Sequence, residues 1–338
     1  MARPPVPPGA SLPWRVPTAP SSARVDPDRD DGPRWRTLPD GRRWHACHGP
    51  IDLVIEVDGT PAERAAAARA ARAALAPLLV ALAGELPELR RVPDERPCRL
   101  RGAVAVRMLA AVTPHHASGL TPMAAVAGAV ADHVLGAMLG AATLRRAYVN
   151  NGGDIALRLA SGESFRLGLC ADPDGGRRGG VVEFGSDSGI GGVATSGWRG
   201  RSHSLGIADA VTVLAPCAAA ADAAATAIAN AVDLPGSHAV ERVAARELDP
   251  DSDLGERLVT TNVAPLDGRA RERALAAGVE CARDCLARGL IQGARLELQT
   301  SAVALGGARF TAAGVPDELG LPIPPGDRRS AVVRVSRR

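Results

Sequence analysis

Asp222 and Thr226 stand four residues apart in an alanine-rich stretch with helical spacing, so both side-chain oxygens fall on one face, one turn apart. A hard cation could bridge them. Mg²⁺ takes oxygen ligands, keeps several waters and commonly binds through one or two carboxylates plus substrate phosphates, so this sparse pair suits Mg²⁺ better than Zn²⁺. The plainer reading is that Asp222 complements a helix dipole and Thr226 bonds back to the preceding turn. Asn150, Asn151, Gly152, Gly153 and Asp154 join two strand-like segments, and Asn and Gly tolerate positive φ, which predicts a tight hairpin. The same glycines would let backbone approach a ligand closely, with the Asp154 carboxylate beside it. His203, just before a strand, could contact a phosphate or move a proton, or simply be solvated.

Other motifs carry less. Gly189, Gly191 and Ala194 fit a loose dinucleotide fingerprint, but Thr195 to Gly200 reads as turn rather than the start of a helix, so a Rossmann site is rejected. No GxSxG elbow surrounds Ser196 or any other serine. His45, Cys47 and His48 form a small cluster, and Cys281 and Cys285 share a helix face; each set lacks the partner pair of a closed zinc site and reads as structural. His115 and His116 read as loop, and Arg177 and Arg178 as a solvent-facing turn.

The elements that must position these residues follow from periodicity. Helices are predicted over Ala62–Leu82, Met123–Gly140, Ala218–Val232 and Gly268–Arg288, the second with Thr121 as N-cap and Pro122 at the first helical position. Strands are predicted over Ile51–Val57, Gly102–Ala111, Arg146–Asn150, Asp154–Leu159, Ser164–Cys170, Gly180–Phe184, Ala208–Leu214, Leu258–Val263 and Arg295–Ala304. Runs of strands between a few long helices, without regular βαβ alternation, point to α+β: antiparallel sheet with helices on its faces. Each half of the chain repeats a strand, helix, strands pattern, which suggests a duplication. Met1–Gly32, rich in Pro and Arg and then acidic, reads as a disordered tail before one domain over residues 33–338.

Composition narrows the function classes. Of 338 residues, 46% are hydrophobic and 23% charged, and all 40 basic residues are arginine. Without lysine, a GxxxxGK[ST] phosphate loop, a Schiff base and a kinase-type strand lysine are excluded. A net charge of +3 and 2% aromatics argue against nucleic acid, which is usually held on aromatic platforms beside a basic groove. The first 30 residues contain no apolar run of a secretory signal, and the apolar stretch Met123–Leu139 is broken by Asp132 and His133. Six scattered cysteines form no CxxC pair. The expectation is a cytoplasmic chain with no membrane partner.

Taken in order, Asn151 to Asp154, Ala194 to Gly197, Ser202 with His203, Asp209 to Val213, and Ala221, Asp222 and Thr226 resemble the ApbE superfamily, flavin transferases that use FAD and Mg²⁺. Thr121 to Gly128 adds a resemblance to its cytoplasmic, uncharacterised branch. The resemblance implies a T-fold-like architecture of two similar halves with a nucleotide site between them. It implies that Asp222 and Thr226 are Mg²⁺ ligands, that Asn151, Gly152, Gly153, Thr195, Ser196 and Gly197 line the flavin-nucleotide site, and that His203 and Asp154 are the catalytic candidates. FMN would pass from FAD to a protein hydroxyl or to water. After the histidine, Ser204 to Ala208 stands where the transferases carry Pro-x-Thr-Gly. Two further readings stay open: an enzyme of the same fold acting on another heterocycle such as a pterin, and a non-catalytic binding or assembly protein. The expected partner is a small-molecule nucleotide or heterocycle, with a homodimer as an open option.

Overall fold

A computed structural model describes residues 32–94, 96, 98–172 and 177–311; the tail expected over Met1–Gly32 lies, but for Gly32, outside them. The chain opens with a meander of β1 (Arg34–Thr37), β2 (Trp44–His48) and β3 (Ile51–Asp58). Alternation is strict in β3: Ile51, Leu53, Ile55 and Val57 are buried while Asp52, Val54 and Glu56 face the other side. Helix α1 (Pro61–Leu75) starts on a capping box. The Thr60 hydroxyl accepts the Glu63 N–H, and the Glu63 carboxylate accepts the Thr60 N–H at 2.7 Å.

The helix predicted over Ala62–Leu82 is interrupted at Ala76 and Pro77, because proline brings no N–H to continue the ladder, and resumes as α2 (Leu78–Gly84), followed by α3 (Leu86–Leu89). The strand expected over Gly102–Ala111 is instead α4 (Ala103–Val112). Val104, Ala105, Met108 and Val112 form its buried stripe, a helical spacing that a short apolar run rich in valine conceals. A 3-10 turn at Pro122–Ala125 leads into α5 (Val126–Ala141); Thr121 holds its N-cap position with extended backbone and Pro122 follows it, but the Thr121 side chain makes no capping hydrogen bond.

Then follow β4 (Arg146–Asn151), β5 (Asp154–Leu159), β6 (Ser164–Asp172), β7 (Arg177–Gly185), β8 (Gly192–Ser196), β9 (Ala210–Ala215) and α6 (Ala218–Ala231). Arg177 and Arg178 therefore begin a strand rather than sit in a turn. The chain closes with β10 (Val240–Ala244), α7 (Ala245–Leu248), β11 (Leu258–Val263), α8 (Gly268–Ala287), β12 (Gly293–Leu298), β13 (Ser301–Gly306) and β14 (Arg309–Thr311). The strand expected over Arg295–Ala304 is thus a hairpin turning at Gln299, whose φ is 52°.

Nine strands form one antiparallel sheet in the order β1-β2-β3-β4-β5-β8-β9-β12-β13. Two similar halves are visible in that order. A hairpin (β2–β3), helices including α1 and α5, and a hairpin (β4–β5) make one half; a hairpin (β8–β9), α6 and α8, and a hairpin (β12–β13) make the other. The fold is α+β, with α1 and α5 over the first half and α6 and α8 over the second, each covering an apolar core. The opposite face is covered at its centre by the small sheet β14-β7-β6, where Tyr148, Ile155 and Leu214 meet Phe165 and Phe184. Pro61–Gly84 and Pro122–Ala141 are long and apolar enough by composition to cross a membrane. Leu75, Leu82, Val134 and Met138 of these segments pack in the first core, while Val80 is exposed.

Candidate functional site

The two halves meet at α5 and α6, and the contact is made by backbone. A Cβ on Gly128 would lie 2.3 Å from the Ala218 carbonyl oxygen, so only glycine admits this approach. The helices cap one another across it. Asp132 of α5 accepts the N–H groups of Ala218 and Ala219 at the start of α6, each at 3.0 Å. In return Asp222 of α6 accepts the N–H of Gly128 at 3.0 Å and that of Ala127, at the start of α5. Each carboxylate satisfies amides that a helix start leaves open, and does so from another element.

Asp222, Thr226 and Asn230 form a half-buried stripe on an otherwise buried α6. They face a cavity of about 410 Å³, within the range of small-molecule sites. Opposite them is the β4–β5 hairpin. Asn151 pairs with Asp154 in register, and the Asn150 side chain accepts the Gly153 N–H at 2.8 Å, holding the turn. Gly152, with φ +67°, lies so close to Arg201 that a Cβ there would be 3.0 Å from the guanidinium. Gly152 and Asp154 line the cavity. Asn151 turns its amide to the Ala127 carbonyl at 3.1 Å and accepts the Asp52 N–H at 3.3 Å, tying the hairpin to the start of α5.

The third wall is the end of β8 and the loop behind it: Thr195, Ser196, Gly197, Arg201 and His203. Thr195 and Ser196 close a strand, and the turn begins only at Gly197. Asp209 organises this loop. Its carboxylate accepts the Trp198 indole N–H at 3.1 Å, the Arg199 Nε–H at 2.9 Å and the Gln299 N–H at 2.6 Å. Downstream of His203, Asn230 accepts the Leu205 N–H at 3.0 Å and so fastens the loop to α6.

Electrostatics mark the pair Asp154 and Asp222. Burial pushes Asp154 up to about 7, against the pull of the Thr195 N–H and the Arg201 guanidinium. Burial first, and then the charge of Asp154, raise Asp222 well above the carboxylate range, against the Gly128 and Ala127 amides. The site thus brings Asp222, Thr226, Gly152, Asp154, Thr195, Ser196, Gly197 and His203 around one cavity, while Asn151 and Gly153 support it from behind.

The sequence reading missed the fourth wall. Asp249, Asp251, Ser252, Asp253 and Arg257, in the segment joining α7 to β11, also line the cavity. Thr121 donates to Asp253, and Arg257 donates to the Gly119 carbonyl at 2.9 Å, so this segment is held over the entry to α5. Its run of three aspartates within five residues was the available signal.

Among the described residues, a nine-stranded antiparallel sheet of two ββααββ halves carries an acidic cavity between them, and the chain belongs to the bacterial ApbE family: the family model described as AbpE bacteria matches residues 35–309. Among relatives, it is 44% identical over 116 residues to the UPF0280 protein MK0206 of Methanopyrus kandleri, covering 33% of this chain and 43% of that one. It is 34% identical over 166 residues to a UPF0280 protein of Methanoregula boonei, covering 48% and 68%. The chain spans about half the length of the first curated relatives it matches. Among solved structures, the flavin transferase ApbE from Vibrio cholerae aligns with 83% of this chain and 96% of its own, at 12% identity and a TM-score of 0.38. The ApbE protein of Thermotoga maritima aligns with 74% of each chain, at 16% identity and a TM-score of 0.34.

Proposed function

We propose that this chain binds FAD with Mg²⁺ in the cavity between its halves and passes the FMN moiety to a protein hydroxyl or to water. The observation that carries this reading is the pair Asp154 and Asp222, one carboxylate from each half, both half-buried on the wall of one cavity and both raised. Two such groups cannot both ionise at neutral pH without a counter-charge. Asp222 and Thr226 form an all-oxygen donor pair, which suits a hard divalent ion, and are the residues that would hold it, with Asp154 on the facing wall. When bound, Mg²⁺ neutralises negative charge on the diphosphate and the two carboxylates.

The chain's own groups do the rest. Gly152 and the Thr195–Gly197 backbone admit the nucleotide closely, and Arg201 adds a fixed positive charge beside the hairpin. The acceptor oxygen forms a bond to the FMN phosphorus, the phosphorus–oxygen bond to AMP breaks, and the hydroxyl proton passes to the Asp154 carboxylate on the cavity wall. His203, on the cavity wall, donates a hydrogen bond to the departing phosphate. Incubation with FAD and Mg²⁺, followed by chromatography for AMP and FMN, tests the reading. Metal-dependent AMP release that fails with Asp222→Ala is expected; neither turnover nor metal-dependent FAD retention would overturn it.

A further inference from the structure

Another cluster of metal-binding side chains lies on the face of the large sheet opposite the helices. Strand alternation puts Trp44, Ala46 and His48 in the core and turns His45 and Cys47 outward. The β2–β3 register then sets Asp52 directly across from Cys47 on the same face. This is the partner that the sequence reading of His45, Cys47 and His48 lacked: it comes from the next strand, and His48 points the other way, toward the Leu75 carbonyl.

The arrangement of donors distinguishes a metal site from a catalytic relay. In a nucleophile, base and carboxylate relay, thiol and carboxylate occupy opposite nitrogens of the imidazole. Here the Asp52 Oδ1 is 2.6 Å from Nε2 of His45, and the Cys47 Sγ is 3.3 Å from that Nε2 and 3.7 Å from Nδ1, so both lie nearest the same nitrogen. One ligand atom from each of the three residues lies within 4.8 Å of the other two. Tetrahedral zinc with bonds of about 2.0–2.3 Å separates its ligands by roughly 3.3–3.8 Å, a spacing these side chains reach by small rotations. His45 and Asp52 are 19% and 37% exposed, so an ion has a path in and a fourth position facing solvent.

We propose that His45, Cys47 and Asp52 form a three-ligand site for Zn²⁺, with water in the fourth position. The mixed nitrogen, sulfur and oxygen set selects a borderline divalent ion over Mg²⁺, which separates this site chemically from the all-oxygen set in the cavity. Arg36, whose Nε donates to His45 Nδ1 at 3.1 Å, must release that nitrogen, because a neutral imidazole bound through Nε2 carries its proton on Nδ1. Arg36 is exposed and free to swing aside.

Co²⁺ titration of the full chain, after removal of bound metal, reads the site through its thiolate. One equivalent of Co²⁺ is expected to give a thiolate-to-cobalt charge-transfer band, abolished by Zn²⁺, lost in Cys47→Ser and in His45→Ala, and retained in Asp222→Ala. Circular dichroism of the two substituted chains checks that each is folded. No band, or a band that survives in folded Cys47→Ser, overturns the proposal.

Discussion

The raised Asp154 links stability to pH in a direction opposite to the usual carboxylate. With its folded-state value at about 7 against an ordinary 3.8, the fold favours the protonated acid. Its stabilising contribution is fully present below about pH 4 and is lost as pH rises through about 7. The difference corresponds to at most about 4 kcal/mol, most of it gone by about pH 7. Asp154→Asn keeps the shape and cannot ionise. Urea unfolding in EDTA is therefore expected to find the variant more stable than the parent at about pH 8, by up to about 4 kcal/mol, with the gap closing toward about pH 4. Mg²⁺ is expected to restore the parent at the higher pH and to leave the variant nearly unchanged. A pH-independent gap between the two chains, or equal stabilisation of both by Mg²⁺, would refute the reasoning that a buried carboxylate pair awaits a counter-charge.

Asp132→Ala strips two amides of their acceptor at the start of α6 and is expected to cost about 1–3 kcal/mol by urea unfolding. Gly128→Ala drives a methyl against the Ala218 carbonyl and is expected to cost about 1–3 kcal/mol or to shift α5 from α6, read by the same unfolding and by amide exchange at Ala218 and Ala219. Arg201→Met removes the cation beside Asp154; the Asp154 carboxyl should titrate at still higher pH in carboxyl-labelled NMR, and FAD affinity should fall about tenfold.

Much of the cavity was legible in the sequence because its key pairs are local. Asp222 and Thr226 are one helical turn apart, and the Asn151–Asp154 hairpin is fixed by glycines that accept positive φ. What local pattern could not carry was contact between distant elements. Asp132 read as a break in an apolar stretch and Asp222 as a cation ligand or a complement to its own helix dipole, yet each answers the open amides of the other's helix some 90 residues away. Val104 and Val106 made α4 look like a strand, since in a stretch apolar at every position but Arg107 the buried stripe emerges only against a neighbour. β1 and β2 were missed because Trp, Arg and His alternate there without the usual aliphatic signal. The acidic segment at Asp249–Asp253 gains meaning only from Thr121 and Gly119, which receive it.

The exchange of carboxylates between α5 and α6 makes the two repeats dependent on each other. If the chain were severed after β5, the first fragment would hold an acid with no amides to receive and a helix whose leading amides have no acceptor, and the second fragment would be its mirror. Neither piece answers its own helix start, and mixing them returns both matches at once.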